Sequence, residues 1–253
     1  MSHNHFSVIL VGLHNRWLND CVESVLSQNF PCFTVYITID PYPRTDGIPM
    51  DFRFNPRGHR VEMILNSVRR YQLINRDLWI RDPCIPPDDI IVLGDLDDRF
   101  YDTTILSKLN DVYEQYSPWL TYGGMVKEFD KGCKGPFDHS WEEEIPLDDS
   151  RTCRQNTGRK DLHHLLTFRK WLYEKIDPDD FKDENGNVFN SCTDRAIQYP
   201  MVEMAGIKNL YHTKFPMYIY NNENPENDWR VCKELQEKNS LYIRSKNPYP
   251  ELS

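Results

Sequence analysis

Long apolar runs are missing from this sequence. No stretch approaches the roughly 18 residues needed to cross a bilayer, so no membrane-spanning helix is expected. Positive charge is also scarce. With 30 Lys and Arg against 39 Asp and Glu the formal charge is −9, and the chain lacks the clustered cations that neutralise a nucleic-acid backbone. Nucleic acid is therefore not an expected partner. A phosphorylated small ligand stays open, because a bound cation can supply positive charge locally. The 7 cysteines (Cys21, Cys32, Cys84, Cys133, Cys153, Cys192, Cys232) are scattered, odd in number and free of any Cys-x-x-Cys pair. That argues against a zinc knuckle and a disulfide frame and fits reduced thiols in a cytosol. The polar start Met1–His5 shows no basic region leading into a long apolar one, so no signal peptide is expected and the placement reads as cytoplasmic. Internal repeats, low-complexity tracts and a clear linker are absent as well.

What is present is an alternation. Ser7–Gly12 (SVILVG) is a short β-branched apolar run of strand length, followed by helical spacing of Trp17, Leu18, Cys21, Val22, Val25 and Leu26 within Arg16–Gln28. Phe33–Ile39 reads as a second strand, ended by Asp40 and the turn-rich PYPRTDG. Val61, Ile64, Leu65 and Val68 predict a helix over Arg60–Asp77. Ile90–Leu93 (IIVL) is a third, buried strand that stops at Gly94. A helix over Thr104–Tyr116 and a strand over Trp119–Tyr122 come next. Strand–helix alternation predicts an α/β fold with a mostly parallel sheet and helices on both faces. Right-handed crossovers then bring the C-terminal strand ends, and with them Gly12, Asp40 and Gly94–Asp98, to one ligand-binding edge.

The second half is less regular. Lys127–Lys160 reads as loop, His163–Lys175 as a helix, Asp177–Asn190 as an acidic turn-forming insertion, and Thr193–Ala205 as a helix kinked at Pro200. Phe215–Tyr220 reads as a strand, and Pro225 suits the first turn of a last helix.

Asp95-Leu96-Asp97-Asp98 follows the buried IIVL strand directly. Three carboxylates within four residues raise one another's pKa or recruit a cation. Asp95 and Asp97 share a side if the chain stays extended, whereas Asp97 and Asp98 do not. All-oxygen ligation of this kind suits Mg²⁺ or Mn²⁺, with substrate phosphates completing the shell. The alternative is a solvated helix N-terminus, where Asp is favoured without any ligand.

SVILVGLHNRWLNDCVESVLSQNFPCFTVYITID, with its Ser24-Val25-Leu26-Ser27-Gln28 phrase, together with IIVLGDLDD, resembles the family 2 type of GT-A glycosyltransferases. The likeness covers about the first half of the chain. It implies one GT-A (Rossmann-like) domain over residues 1–253, with about 1–125 binding the nucleotide-sugar and about 126–253 the acceptor. It further implies that Asp40 contacts the nucleotide base, that Asp95 lies near base or ribose, and that Asp97 and Asp98 handle metal and diphosphate. Gly12 would approach the nucleotide, and Asn75 stands where the family has an Asn closing its second helix. Gly12-Leu13-His14-Asn15 departs from the family's usual Pro-Thr-Tyr-Asn, and Pro41 replaces a second Asp after Asp40.

In that family a carboxylate opening a later helix removes the acceptor proton. Thr193-Asp194-Arg195, ahead of Met204-Ala205-Gly206, occupies the corresponding place. Asp194 is thus the candidate base, a role compatible with capping the helix, and Glu203 is the runner-up. His212 is a candidate third metal ligand. The adjacent His163 and His164 point apart and cannot clamp a metal together; one of them could touch acceptor or phosphate. Trp141, Trp171 and Tyr220 could stack on a sugar, although ordinary core or surface packing is the favoured explanation. Glu142-Glu143-Glu144 reads as a solvated stretch. HLLTFRKWLYEKI, TDRAIQYPMVEMAG and MYIYNNENPENDW are similar to a subset of family 2-like enzymes of bacteria and large viruses. The resemblance implies metal-dependent, inverting transfer from a nucleotide-sugar, with a UDP-sugar favoured. The acceptor would be a hydroxyl of a glycan, protein or small molecule. A sugar-phosphate nucleotidyltransferase and a non-catalytic nucleotide- or glycan-binding module of the same fold are the alternatives.

Overall fold

The computed structural model describes residues 4–13, 16–41, 52–127, 153–154, 162 and 164–253. Its main sheet has seven strands. β1 (Phe6–Leu13), β2 (Phe33–Asp40), β3 (Arg60–Leu65) and β4 (Ile90–Asp95) run parallel, with β1 between β2 and β4 and β3 outermost. β8 (Leu166–Arg169) lies antiparallel between β4 and β6 (Leu120–Tyr122), and β9 (Leu210–His212) pairs parallel with β6. A three-stranded sheet places β10 (Tyr218–Tyr220) between β5 (Arg99–Phe100) and β7 (Met125–Lys127).

Side-chain alternation along β1 and β4 divides the core into two layers. Val8, Leu10, Ile90 and Val92 face a cluster with α1 (Leu18–Leu26) and α3 (Ile105–Tyr116). Ile9, Val11, Ile91 and Leu93 face a second cluster with α2 (Tyr71–Ile80), α4 (Lys170–Glu174) and α5 (Thr193–Ala205). The helix α1 forms because Leu18, Cys21, Val22, Val25 and Leu26 make one buried stripe. Two further helices, α6 (Asp228–Val231) and α7 (Lys233–Ser245), close the chain. The strand order reverses between β1 and β4, and the crevice at their C-terminal ends is where open α/β sheets bind ligands.

Two expected elements differ. Arg60–Asp77 is not one helix: Arg60–Leu65 is the edge strand β3, the chain turns at Asn66–Arg70, and α2 starts at Tyr71, whose φ is 66°. Val68, counted in the helical stripe, is exposed. His163–Lys175 is likewise split into β8 and the short α4. Leu165 packs into one core layer, Leu166 and Phe168 into the other, as a strand covered on both faces requires. Thr193–Ala205 is helical throughout, with Pro200 inside it. The Phe215–Tyr220 strand shortens to β10, and Pro225 lies in the turn before α6. Lys127–Lys160 lies almost wholly outside the described residues. No helix among those described is long and apolar enough to cross a membrane.

Candidate active site

The acidic run sits at the β1/β4 crevice and forms a turn, closed by the Asp98 amide donating to the Asp95 carbonyl at 3.1 Å. Leu96 is fully buried and anchors the turn; burying such a side chain contributes about 1.5–3 kcal/mol. Gly12 lets it approach, since a Cβ there would stand 3.1 Å from the Leu96 Cβ. The turn reverses the expected grouping of the carboxylates. Asp95 faces α2, whereas Asp97 and Asp98 both face the chain after β10.

Asp97 accepts from Asn224 Nδ2 at 2.6 Å. Burial and the Asp95 charge push its carboxyl up to about 6, against the pull of Asn224 and His164. Asp98 is 3% exposed and accepts from the Asn221 amide at 2.7 Å. Burial, then Asp97 and Asp95, hold it well above the usual carboxylate range. The hydroxyl of Tyr218, itself buried, accepts from the Asp95 amide at 2.8 Å. Below the turn, the Cys21 thiol donates to the Asp95 carbonyl at 3.3 Å. Burial and the three aspartates keep that thiol protonated.

Arg76, on α2, is the residue that sequence reasoning missed. Its side chain is 1% exposed; Nη2 donates to Asp95 Oδ1 at 2.7 Å and Nη1 to Asp194 Oδ1 at 3.1 Å. Gln72, one turn earlier, donates to Asp95 at 3.0 Å and accepts from the Thr193 hydroxyl at 3.4 Å. The α5 N-terminus is thereby tied to the acidic turn. Asp194, 47% exposed at its side chain, keeps one face open. Burial would raise its carboxyl, but Arg76, with His164 and Arg195, holds it below the usual range. His164 stacks on Tyr218 with ring centroids 5.4 Å apart, and its charge acts on both Asp97 and Asp194. A signal for Arg76 existed: it shares the buried face of α2 with Leu73, Trp79 and Ile80, where an unpaired cation is costly.

Other candidates fall in different places. Asp40 is 2% exposed and accepts from the Arg70 and Tyr71 amides at 3.0 and 2.8 Å and from Asn66 Nδ2 at 2.8 Å. It caps α2, and both of its oxygens are committed there. Asn66 also donates to Asn75 Oδ1 at 2.9 Å, which places Asn75 behind that cap and inside α2, not at its end. Glu203 is fully buried in an ion pair with Arg154 (2.5 and 2.9 Å) and accepts from the Tyr249 amide. Nine residues beyond Asp194 on the same helix, it stands about 13 Å further along the axis. His212 stacks on Tyr122 at 5.1 Å. No three His, Cys, Asp or Glu side chains among the described residues are grouped to hold a metal. Trp171 packs edge-on against Trp119 beside the N-terminal end of β6, away from the crevice. Tyr220 ends β10 next to Asn221. Trp141, Glu142–Glu144 and His163 lie outside the described residues.

Buried polar atoms without a hydrogen-bond partner among the described residues collect around this edge: Asn75 Nδ2, Arg76 Nε, Asp98 Oδ2, His164 Nδ1 and Asn221 Nδ2. Native interiors rarely leave such atoms unpaired.

No protein family and no curated protein sequence matches the chain. Solved structures do. The fold is similar to that of S. aureus TarS 1–349 in complex with UDP-GlcNAc, at a TM-score of 0.58 and 14% identity, over 91% of this chain and 65% of that one. The structure of S. aureus TarS gives a TM-score of 0.59 at 16% identity, over 91% of this chain and 39% of that one. The mannosyltransferase PcManGT from Pyrobaculum calidifontis, in complex with GDP-Man and Mn²⁺, gives 0.55 at 11% identity, over 98% of this chain and 66% of that one. The chain thus spans less than two thirds of the length of each. The likeness is one of fold: an α/β domain with a mainly parallel central sheet.

Proposed function

We propose that the protein is a metal-dependent, inverting glycosyltransferase of family 2-like type, taking a sugar from a nucleotide-sugar, with a UDP-sugar favoured, to a hydroxyl acceptor. The observation that carries this reading is the bridge through Arg76. It holds a half-exposed carboxylate, Asp194, beside a crevice whose other wall is an acidic turn in need of a cation. The bound nucleotide-sugars of the similar structures support the choice of donor class.

A divalent ion fits the residues present. Asp98 Oδ2 is buried with no partner among the described residues, and the raised carboxyls of Asp97 and Asp98 mark charge that lacks compensation. Mg²⁺ and Mn²⁺ sites need only one or two carboxylates where diphosphate and water complete the shell, so a third protein ligand such as His212 is not required. The ion would be held by Asp97 and Asp98 and would stabilise the departing diphosphate as a Lewis acid.

Asp194 takes the acceptor hydroxyl proton as that oxygen bonds to the anomeric carbon and the bond to the diphosphate breaks with its electron pair. Arg76 keeps Asp194 ionised for this role and fixes its position through Asp95. Residues up to about 125 form most of the donor-binding half; those beyond contribute the acceptor side and, after β10, the wall that faces Asp97 and Asp98. The test is a panel of nucleotide-sugars with Mn²⁺, read as thermal stabilisation and as slow donor hydrolysis. Stabilisation by one donor class only in the presence of metal is the expected result. No stabilisation by any nucleotide, with or without metal, overturns the reading.

A further inference from the structure

Two turns in series shape the chain after β10. Asn221 Oδ1 accepts from the Glu223 amide at 3.0 Å, and Asn224 Oδ1 from the Glu226 amide at 2.9 Å. With both side-chain oxygens committed, the amide nitrogens are the groups left for other partners. Asn224 Nδ2 donates to Asp97 Oδ2 at 2.6 Å. The Asn221 backbone N–H donates to Asp98 Oδ1 at 2.7 Å, yet Asn221 Nδ2, on a residue 4% exposed, has no partner among the described residues. Asp98 Oδ2, on the carboxylate that Asn221 already holds, has none either. An unpaired acceptor and an unpaired donor thus belong to two residues in contact and do not satisfy each other. A single ligand meets both needs if it brings a cation for the oxygen and an anionic oxygen for the amide. A divalent ion carrying a diphosphate has that chemistry.

We propose, resting on the glycosyltransferase reading, that Asn224 stands in for the cation at Asp97. Its amide holds the carboxylate in the metal-free protein and yields it to the divalent ion. The freed Asn224 Nδ2, together with Asn221 Nδ2, then donates to the diphosphate oxygens. Each N–H exchanges one anionic oxygen for another, and no covalent bond changes. Metal and diphosphate are coupled as a consequence, because the hydrogen bond that the ion displaces is remade on the nucleotide.

The experiment measures Mn²⁺ binding to nucleotide-free protein, by the spin-resonance signal of free Mn²⁺, and UDP binding at saturating Mn²⁺, by calorimetry. Wild type is compared with Asn224→Ala and with Asn224→Ser, which keeps a neutral side-chain oxygen to close the turn if the alanine variant fails to fold. Loss of a competing hydrogen bond to a charged group should tighten Mn²⁺ alone about tenfold in both variants. Binding of UDP in the presence of Mn²⁺ should weaken by a similar factor. Mn²⁺ affinity unchanged or weakened in both variants, with UDP still bound by the wild type, overturns the exchange at Asn224 and leaves the wider reading standing. A wild type that binds neither Mn²⁺ nor UDP overturns both.

Discussion

Arg76 and Asp194 stand 118 residues apart in sequence and meet at 3.1 Å, through a guanidinium whose other nitrogen holds Asp95 at 2.7 Å. One buried cation therefore fixes the spacing between the acidic turn and the first turn of α5. Removing it as Arg76→Gln leaves Asp95 without its counter-charge, and breaking a buried pair of this kind costs about 3–5 kcal/mol. Most of that belongs to the Asp95 arm, because Asp194 is half-exposed and its pairing is screened. Denaturant unfolding at neutral pH should show the loss.

The same substitution should move the pH profile. Arg76 holds the Asp194 carboxyl below the usual range against its burial, so a base at that position stays ionised down to acidic pH. Without Arg76 the charge that holds the carboxyl down is gone and it rises. The acid limb of kcat should then shift to higher pH in Arg76→Gln, and an unmoved limb would show that another group titrates. The depressed carboxyl also contributes stability that is present above its unfolded value and lost as pH falls through the folded one, so this contribution should vanish in the variant.

Asp97→Asn should trade function for stability. The wild-type carboxyl is pushed up to about 6, so the folded state favours its protonated form and the metal-free protein loses stability as pH rises from the ordinary carboxylate value through about 6. An amide there does not ionise. At pH 7 without metal the variant should gain roughly 1–2 kcal/mol, or about 3–6 °C in Tm for a chain of this size. Added Mn²⁺ should stabilise the wild type and not the variant. Calorimetry at pH 5 and pH 7, with and without Mn²⁺, checks both statements.

Glu203 separates structural from catalytic carboxylates. It is fully buried and bound by Arg154 at 2.5 and 2.9 Å. Glu203→Gln should cost about 3–5 kcal/mol through the uncompensated arginine, while the protein that remains folded binds donor with wild-type affinity. Replacing both partners by apolar residues should recover most of the stability, since a packed apolar pair often equals a buried ion pair. Urea midpoints for the single and double variants decide it.

Much of the first half of the chain was legible because its signals are local. β1, β2 and β4 are continuous apolar runs, as parallel strands covered on both faces require, and the acidic run follows β4 directly in sequence. The edge strand β3 was not legible: Val61, Ile64 and Leu65 fit helical spacing, and an edge with one weakly covered face blurs its alternation. For Asp40 the family resemblance implied a nucleotide contact. Nothing local shows that the amides of Arg70 and Tyr71 return to it thirty residues later. Asn221 and Asn224 carried no signal of their own in the sequence, because their partners Asp98 and Asp97 lie more than 120 residues earlier.

Asp194→Asn is the substitution that bears most directly on the acceptor side. The amide is nearly isosteric, and its oxygen still accepts from Arg76, so α5 should stay in place and the fold lose little. Asp97 and Asp98 are untouched, so metal-dependent nucleotide binding should match wild type. What disappears is a group able to accept the acceptor proton at that position, and loss of a positioned general base lowers the rate by about 10²–10⁴-fold. The expected pattern is an unchanged Kd for the metal–nucleotide complex, a Tm lowered only slightly by loss of the charge that faces Arg76, and a collapse of kcat for transfer. Asp194→Asn that transfers at the wild-type rate would remove the base from α5 altogether. The buried Glu203 could not inherit the role from its place against Arg154, and His164, which faces both Asp97 and Asp194 electrostatically, would be the next residue to replace.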